Sequence, residues 1–172
     1  MLRWLWLAVL VVVLDQASKL WANGVLHLHQ PVEILTGLSF TLSYNAGAAF
    51  SFLADSGGWQ RWFFITLAVL VSGYIIHWLR KLSRSEMRLA IALSLILGGA
   101  VGNVIDRVYL GYVVDFIDVF YLADDCLPFF GKLFGGNAVS CHWPAFNIAD
   151  SAIFLGAVIL VLDSFKGRKS ES

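Results

Sequence analysis

Four stretches of the chain are predominantly apolar, at about residues 2–21, 62–80, 88–107 and 145–163. Each is close to the roughly 17–25 residues that carry an α-helix across a bilayer. A spanning helix satisfies its own backbone hydrogen bonds, which lipid cannot do. Two polar intervals separate the stretches on one side, at about 22–60 and 108–144. In the first, Val32–Tyr44 is rich in β-branched and aromatic residues around Gly37, which predicts a small strand pair. "NAGAAFSFL" follows, then the turn signal "DSGGW", with Trp59 and Trp62 suited to a membrane interface. The second interval reads as turns at Pro128, Gly131, Gly135 and Gly136, with Phe129, Phe130 and Phe134 between them. No internal repeat interrupts this order. The pattern predicts an all-α membrane protein: a single domain over 1–172, with four transmembrane helices and a small strand-rich outer segment lying on the membrane.

Composition supports a membrane class. The chain is 59% hydrophobic and 14% charged, against about 45–50% and about 25% in soluble domains. The first apolar stretch could serve as a cleaved leader, but Asp15, Gln16 and Lys19 follow it where a small-x-small site belongs. A retained helix is therefore expected. Zero formal net charge gives no electrostatic support for a nucleic-acid partner. Arg3, Arg80, Lys81, Arg84, Arg88, Lys166, Arg168 and Lys169 fall at the two termini and the loop between the second and third helices. The positive-inside rule makes that side cytoplasmic. The acids are skewed to the opposite, outer side. Both cysteines, Cys126 and Cys141, lie in the second outer interval, where an oxidising compartment predicts a disulfide.

Candidate chemistry lies in polar residues at the outer helix ends, where charge in lipid costs roughly 2.5–3.5 kcal/mol. "DQASK" places Asp15 and Lys19 at i,i+4 on one helix face, as an ion pair or as site residues. "FNIADS" places Asn147 and Asp150 at i,i+3 behind Pro144, which suits a helix start. In "GGAVGNVIDR", Gly98, Gly99 and Gly102 allow close helix packing, and Asn103 and Asp106 repeat the i,i+3 step. Arg107 adjoins Asp106 and would keep it ionised, which assigns Asp106 a structural role. Asp115 lies in the apolar run "GYVVDFID" with no basic residue near it in sequence, so burial would raise its pKa. Asp118 reads as a solvated acid. Two carboxylates at one depth can share a proton and activate a water, which is aspartic-peptidase chemistry. The chain has no H-E-x-x-H, G-x-S-x-G or P-loop. Its four histidines are scattered, so neither a metal nor a cofactor is expected.

"DQASK", "NAGAAFS", "GNVIDR…GYVVDFID" and "FNIADS" occur in this order across nearly the whole chain, and in them the sequence resembles bacterial lipoprotein signal peptidase, or signal peptidase II. The resemblance implies an inner-membrane aspartic endopeptidase that cleaves a prolipoprotein just before a diacylglyceryl-modified cysteine. It places the catalytic pair on Asp115 and Asp150, and polar site residues on Asn103, Arg107 and Asn147. Asp15, Lys19, Asn45, Gly47, Ala49, Phe50 and Asp106 match other characteristic positions. It implies a substrate cradle near Ala22–Tyr44 and a short outer helix near Leu53–Trp59. Its partners would be the lipidated prolipoprotein and membrane lipid, and the chain itself is expected to be monomeric. The interval Tyr121–Cys141 is longer than the family pattern. A small proton-coupled transporter using Asp15 and Asp150 is the competing reading, but transporters bind at the midplane between repeats. A non-catalytic assembly protein with structural ion pairs is a third.

Overall fold

The structure, a computed structural model, describes residues 1–47, 58–123, 126–127, 130–135 and 138–168. Four helices carry the apolar stretches: α1 (Leu5–Val25), α2 (Trp59–Lys81), α3 (Met87–Tyr109) and α4 (Ile148–Arg168). All four are long and apolar enough to cross a membrane. Ala49, Phe50 and most of the expected short helix near Leu53–Trp59 lie outside the described residues; Trp59 itself begins α2.

The centre of the bundle is α3, which packs against α1, α2 and α4. Its glycines make this possible. A Cβ on Gly99 would collide with the Ala149 carbonyl oxygen of α4, and one on Gly98 would lie 2.7 Å from the Ala8 carbonyl oxygen of α1. Away from the sheet, Ala8, Ile75, Leu79, Leu93 and Leu97 form a core shared by α1, α2 and α3.

All-α describes the span but not the molecule. Both outer intervals contribute to one antiparallel sheet, in the order β1-β2-β3-β5-β4. The strands are β1 (Val32–Leu35), β2 (Leu38–Asn45), β3 (Val113–Leu122), β4 (Gly131–Gly135) and β5 (Ala138–His142). β1 and β2 fall in the expected Val32–Tyr44 stretch. They are joined through Gly37 at a φ of 92°, a left-handed conformation that favours glycine. Gly131 and Gly135, expected at turns, instead lie in β4, while Pro128, Phe129 and Gly136 lie outside the described residues. Cys126 and Cys141 are disulfide-bonded, tying the chain beyond β3 to β5.

Two further boundaries differ from expectation. Pro144 does not open α4, because residues up to Phe146 still pair with β3: Phe146 N–H donates to the Ile117 carbonyl at 3.0 Å. At the other end of β3, the chain leaves α3 through Gly111, at a φ of 89°. That residue serves as a left-handed helix stop, and it turns β3 back over the helix ends. Val114 and Phe116 then pack into a core with Ala22, Leu26 and Leu42. The alternate residues Val113 and Asp115 face a cavity, as the two-residue period of a strand requires.

Candidate active site

Seven of the ten residues expected at the site come from α1, α3 and α4 or, for Asn147, from the residue before α4. Asn45, Gly47 and Asp115 come from the two outer intervals. The foundation is Lys19, almost fully buried on α1. Its Nζ lies 2.8 Å from Asp15 Oδ2 and 2.9 Å from Asp106 Oδ2, and it donates to Asn103 Oδ1 at 3.0 Å. Charges at this burial hold only when paired and hydrogen-bonded. Asp15 also accepts the Ala149 N–H at 3.0 Å, so a carboxylate of α1 anchors the first turn of α4. Asp106 also accepts the Val114 N–H at 3.0 Å and so fixes the start of β3.

The cation paired with Asp106 is Lys19 rather than the expected Arg107. Sequence neighbours on a helix diverge, so the Arg107 guanidinium points elsewhere. It donates to the Gly47 carbonyl at 3.0 Å and lies 5.2 Å from the centre of the Phe64 ring. Gly47 N–H in turn donates to Asn45 Oδ1 at 3.0 Å. The Arg107–Gly47–Asn45 chain thus ties the end of β2 to α3.

Above this foundation are two more carboxylates. Asp115 Oδ1 accepts from Asn147 Nδ2 at 2.7 Å, and its Oδ2 accepts from Asn45 Nδ2 at 3.1 Å. Asp150 Oδ1 accepts from Asn103 Nδ2 at 2.8 Å. Asn147 Oδ1 accepts the Asp150 N–H at 2.9 Å, and Asp150 Oδ2 accepts the Asn147 N–H at 3.3 Å. That reciprocal pair caps α4. Asp150 therefore combines a cap role with a place on the cavity. Each of the amides Asn45, Asn103 and Asn147 donates to a carboxylate and accepts elsewhere, and among the described residues neither Asp115 nor Asp150 has a direct cation partner.

Asp115 and Asp150 both line one cavity of about 830 Å³, with Asn45, Asn103 and Arg107 on its polar side and Trp143, Phe146 and Phe154 on its apolar side. Burial, and second the Asp150 charge, push the Asp115 carboxyl up to about 7, against the opposing pull of Asn45, Asn147 and Lys19.

Gln16 and Asp118 carry more than the sequence reading assigned them. Gln16 Nε2 donates to Asp106 Oδ1 at 2.9 Å and to the Gly102 carbonyl at 3.2 Å. Its only sequence signal is its place three residues before Lys19 on the same helix. Asp118 is not solvated. It is 4% exposed and accepts from Thr41 Oγ1 at 2.7 Å, with His142 Nδ1 2.8 Å away. It binds β2, β3 and β5 together, apart from the cavity. Among the described residues no cluster could hold a metal ion.

The sequence model of the family described as "Signal peptidase (SPase) II" matches residues 7–166. A lipoprotein signal peptidase of Aeromonas hydrophila subsp. hydrophila is 52% identical, across 99% of this chain and 92% of its own length. One from Pseudomonas putida is 50% identical, across 99% of this chain and 91% of its own. A solved bacterial membrane enzyme superposes with a TM-score of 0.79 at 28% identity, covering 99% of this chain and 92% of that one. The family match spans α1 to α4 and includes both acids of the cavity, and on that ground the chain belongs to the signal peptidase II family.

Proposed function

We propose that this protein is an aspartic endopeptidase that removes the signal peptide of a diacylglyceryl-modified prolipoprotein, cutting before the lipidated cysteine. Family membership supports the reaction and the substrate class. The observation that carries the residue assignment is that Asp115, from β3, and Asp150, from α4, open onto one cavity and, among the described residues, have amide partners and no direct cation partner. Two neighbouring carboxylates resist double ionisation, so they hold one proton between them. Asp115, at about 7, is the member assigned that proton.

Asp150 then accepts a proton from water as the water oxygen bonds to the scissile carbonyl carbon. Asp115 gives its proton to the carbonyl oxygen. Collapse of the tetrahedral species returns that proton to Asp115, breaks the C–N bond, and moves the Asp150 proton to the leaving nitrogen. General acid–base action of this kind supplies roughly 10²–10⁴-fold per group. Asn103 orients Asp150, Asn147 and Asn45 orient Asp115, and Lys19, Asp15, Asp106 and Gln16 hold the helix ends beneath them. Arg107 and Gly47 brace the cavity wall.

The sheet lies at the outer membrane surface in this reading, with both termini cytoplasmic in a bacterial inner membrane and the single-domain chain acting as a monomer. The test is cleavage of a purified lipidated precursor in detergent. Asp115→Asn and Asp150→Asn each abolish nearly all turnover, and the double variant is little worse, because the pair acts as a unit. Asp118→Asn continues to cut. A folded Asp106→Asn that is dead beside an active Asp115→Asn would reassign the catalytic carboxylate.

A further inference from the structure

The cavity has two chemically different ends. Along α4, Ile153, Phe154 and Ala157 line it within the membrane span. On the sheet side its rim is Trp143 and Pro144, which directly follow β5. Trp143 is 38% exposed, yet its position is fixed from three directions. Its backbone N–H donates to the Val119 carbonyl of β3 at 2.8 Å. The Phe130 ring meets the indole edge-on at 5.4 Å, and Phe130 also stacks edge-on against Tyr121 at 5.0 Å. Two residues before Trp143, buried Cys141 is bonded to Cys126. Between them, His142 binds Asp118. The interval beyond β3 thus holds one broad apolar face at the cavity rim. A rigid indole offers large contact area at little entropic cost on binding, which is why tryptophan dominates recognition sites.

We infer that Trp143 is a specificity-determining residue that packs against the first side chain on the mature side of the lipidated cysteine. The inference rests on the peptidase reading. A signal helix lying in the membrane meets the α4 end of the cavity. The chain that passes Asp115 and Asp150 must leave toward the sheet, where Trp143 stands. An indole face selects apolar side chains there over glycine, because only an apolar side chain removes the ring surface from water.

The experiment uses two purified lipidated precursors that differ only in the residue after the cysteine, leucine or glycine. Wild-type enzyme is expected to favour the leucine precursor about tenfold in kcat/KM, the scale a small apolar contact supplies. Trp143→Ala narrows the preference to about twofold, chiefly by raising KM for the leucine precursor. Trp143→Phe retains most of it, which keeps the test decisive if the alanine variant folds poorly. Reducing the disulfide of the wild-type enzyme narrows the preference in the same direction, because Phe130 is no longer held against the ring. Equal losses on both precursors in Trp143→Ala, or no preference in the wild type, would overturn the inference alone. Wild-type protein that cleaves neither precursor would overturn the peptidase reading, and this inference with it.

Discussion

Asp115 carries a stability cost that follows from where it sits. Its carboxyl rises from an ordinary 3.8 to about 7, first through burial and second through Asp150. Between roughly pH 4 and 7 the folded protein therefore holds a proton that the unfolded chain has released. Its favourable contribution is complete below about 4 and is lost as pH rises toward 7, by up to about 1.4 kcal/mol per pH unit. Asp115→Asn cannot ionise. It should flatten the pH dependence of thermal unfolding in micelles and melt above the wild type at pH 8, while wild-type turnover should fall as pH rises past about 7. Parallel wild-type and variant unfolding curves from pH 5 to 8 would remove the shifted carboxyl. The isolation of Asp115 was legible in the sequence, since nothing basic lies near it in the run "GYVVDFID". The partner of Asp106 was not, because adjacency in sequence suggested Arg107 while the helix turns that side chain away. Gln16 and Asp118 were invisible for the same reason: their partners lie on other elements, up to 90 residues distant for Gln16.

The helices were readable because length and uniform apolarity are properties of one segment. The sheet was half readable. Val32–Tyr44 has β-branched and aromatic residues around a turn glycine, and it forms β1 and β2. β4 and β5 contain Gly, Lys, Ser and Cys, with little intrinsic strand preference. Their strand form depends on pairing with one another and with β3, and on the disulfide. Between helices, what matters is absence of bulk. Gly99→Ala would force a Cβ into the Ala149 backbone carbonyl, and backbone cannot swing aside. It should destabilise the bundle by about 1–3 kcal/mol, as overpacking does. Gly73→Ala in α2 supplies the contrast, with nothing within 4 Å of its Cβ. It should be neutral or stabilise by about 0.5–1 kcal/mol, since glycine weakens a helix interior. Thermal unfolding of both variants in one detergent checks the pair, and equal shifts would refute the close α3–α4 contact as the cause.

At the scale of the whole molecule, the position of the site follows from where charge can be placed relative to a membrane. The sheet, the cavity and the Lys19 network all occupy the end of the bundle where α1 and α3 finish and α2 and α4 begin. The opposite end carries Arg3, the Arg80, Lys81, Arg84 and Arg88 group, and Lys166, Arg168 and Lys169. Basic residues near span ends are retained on the cytoplasmic side during insertion, while acids contribute little to orientation. In the orientation proposed here the termini are cytoplasmic and the cavity opens on the other face. A scissile bond next to a lipid-bearing cysteine is held at the membrane surface by its own acyl chains, so the acids that cut it must be brought to that depth. Asp150 lies in the first turn of α4, Asp15 lies midway along α1 and accepts the Ala149 N–H of that same turn, and Gly111 folds β3 back so that Asp115 joins them. A reporter fused after Phe165 should behave as cytoplasmic, and one inserted at Gly136, between β4 and β5, as external. Insertion at Gly136 should also leave the bundle folded, because the strands it separates belong to the sheet and not to the span. The reverse reporter pattern would place the cavity on the cytoplasmic side, away from any substrate whose cleaved bond faces outward, and would exclude this arrangement of acids as the cutting site.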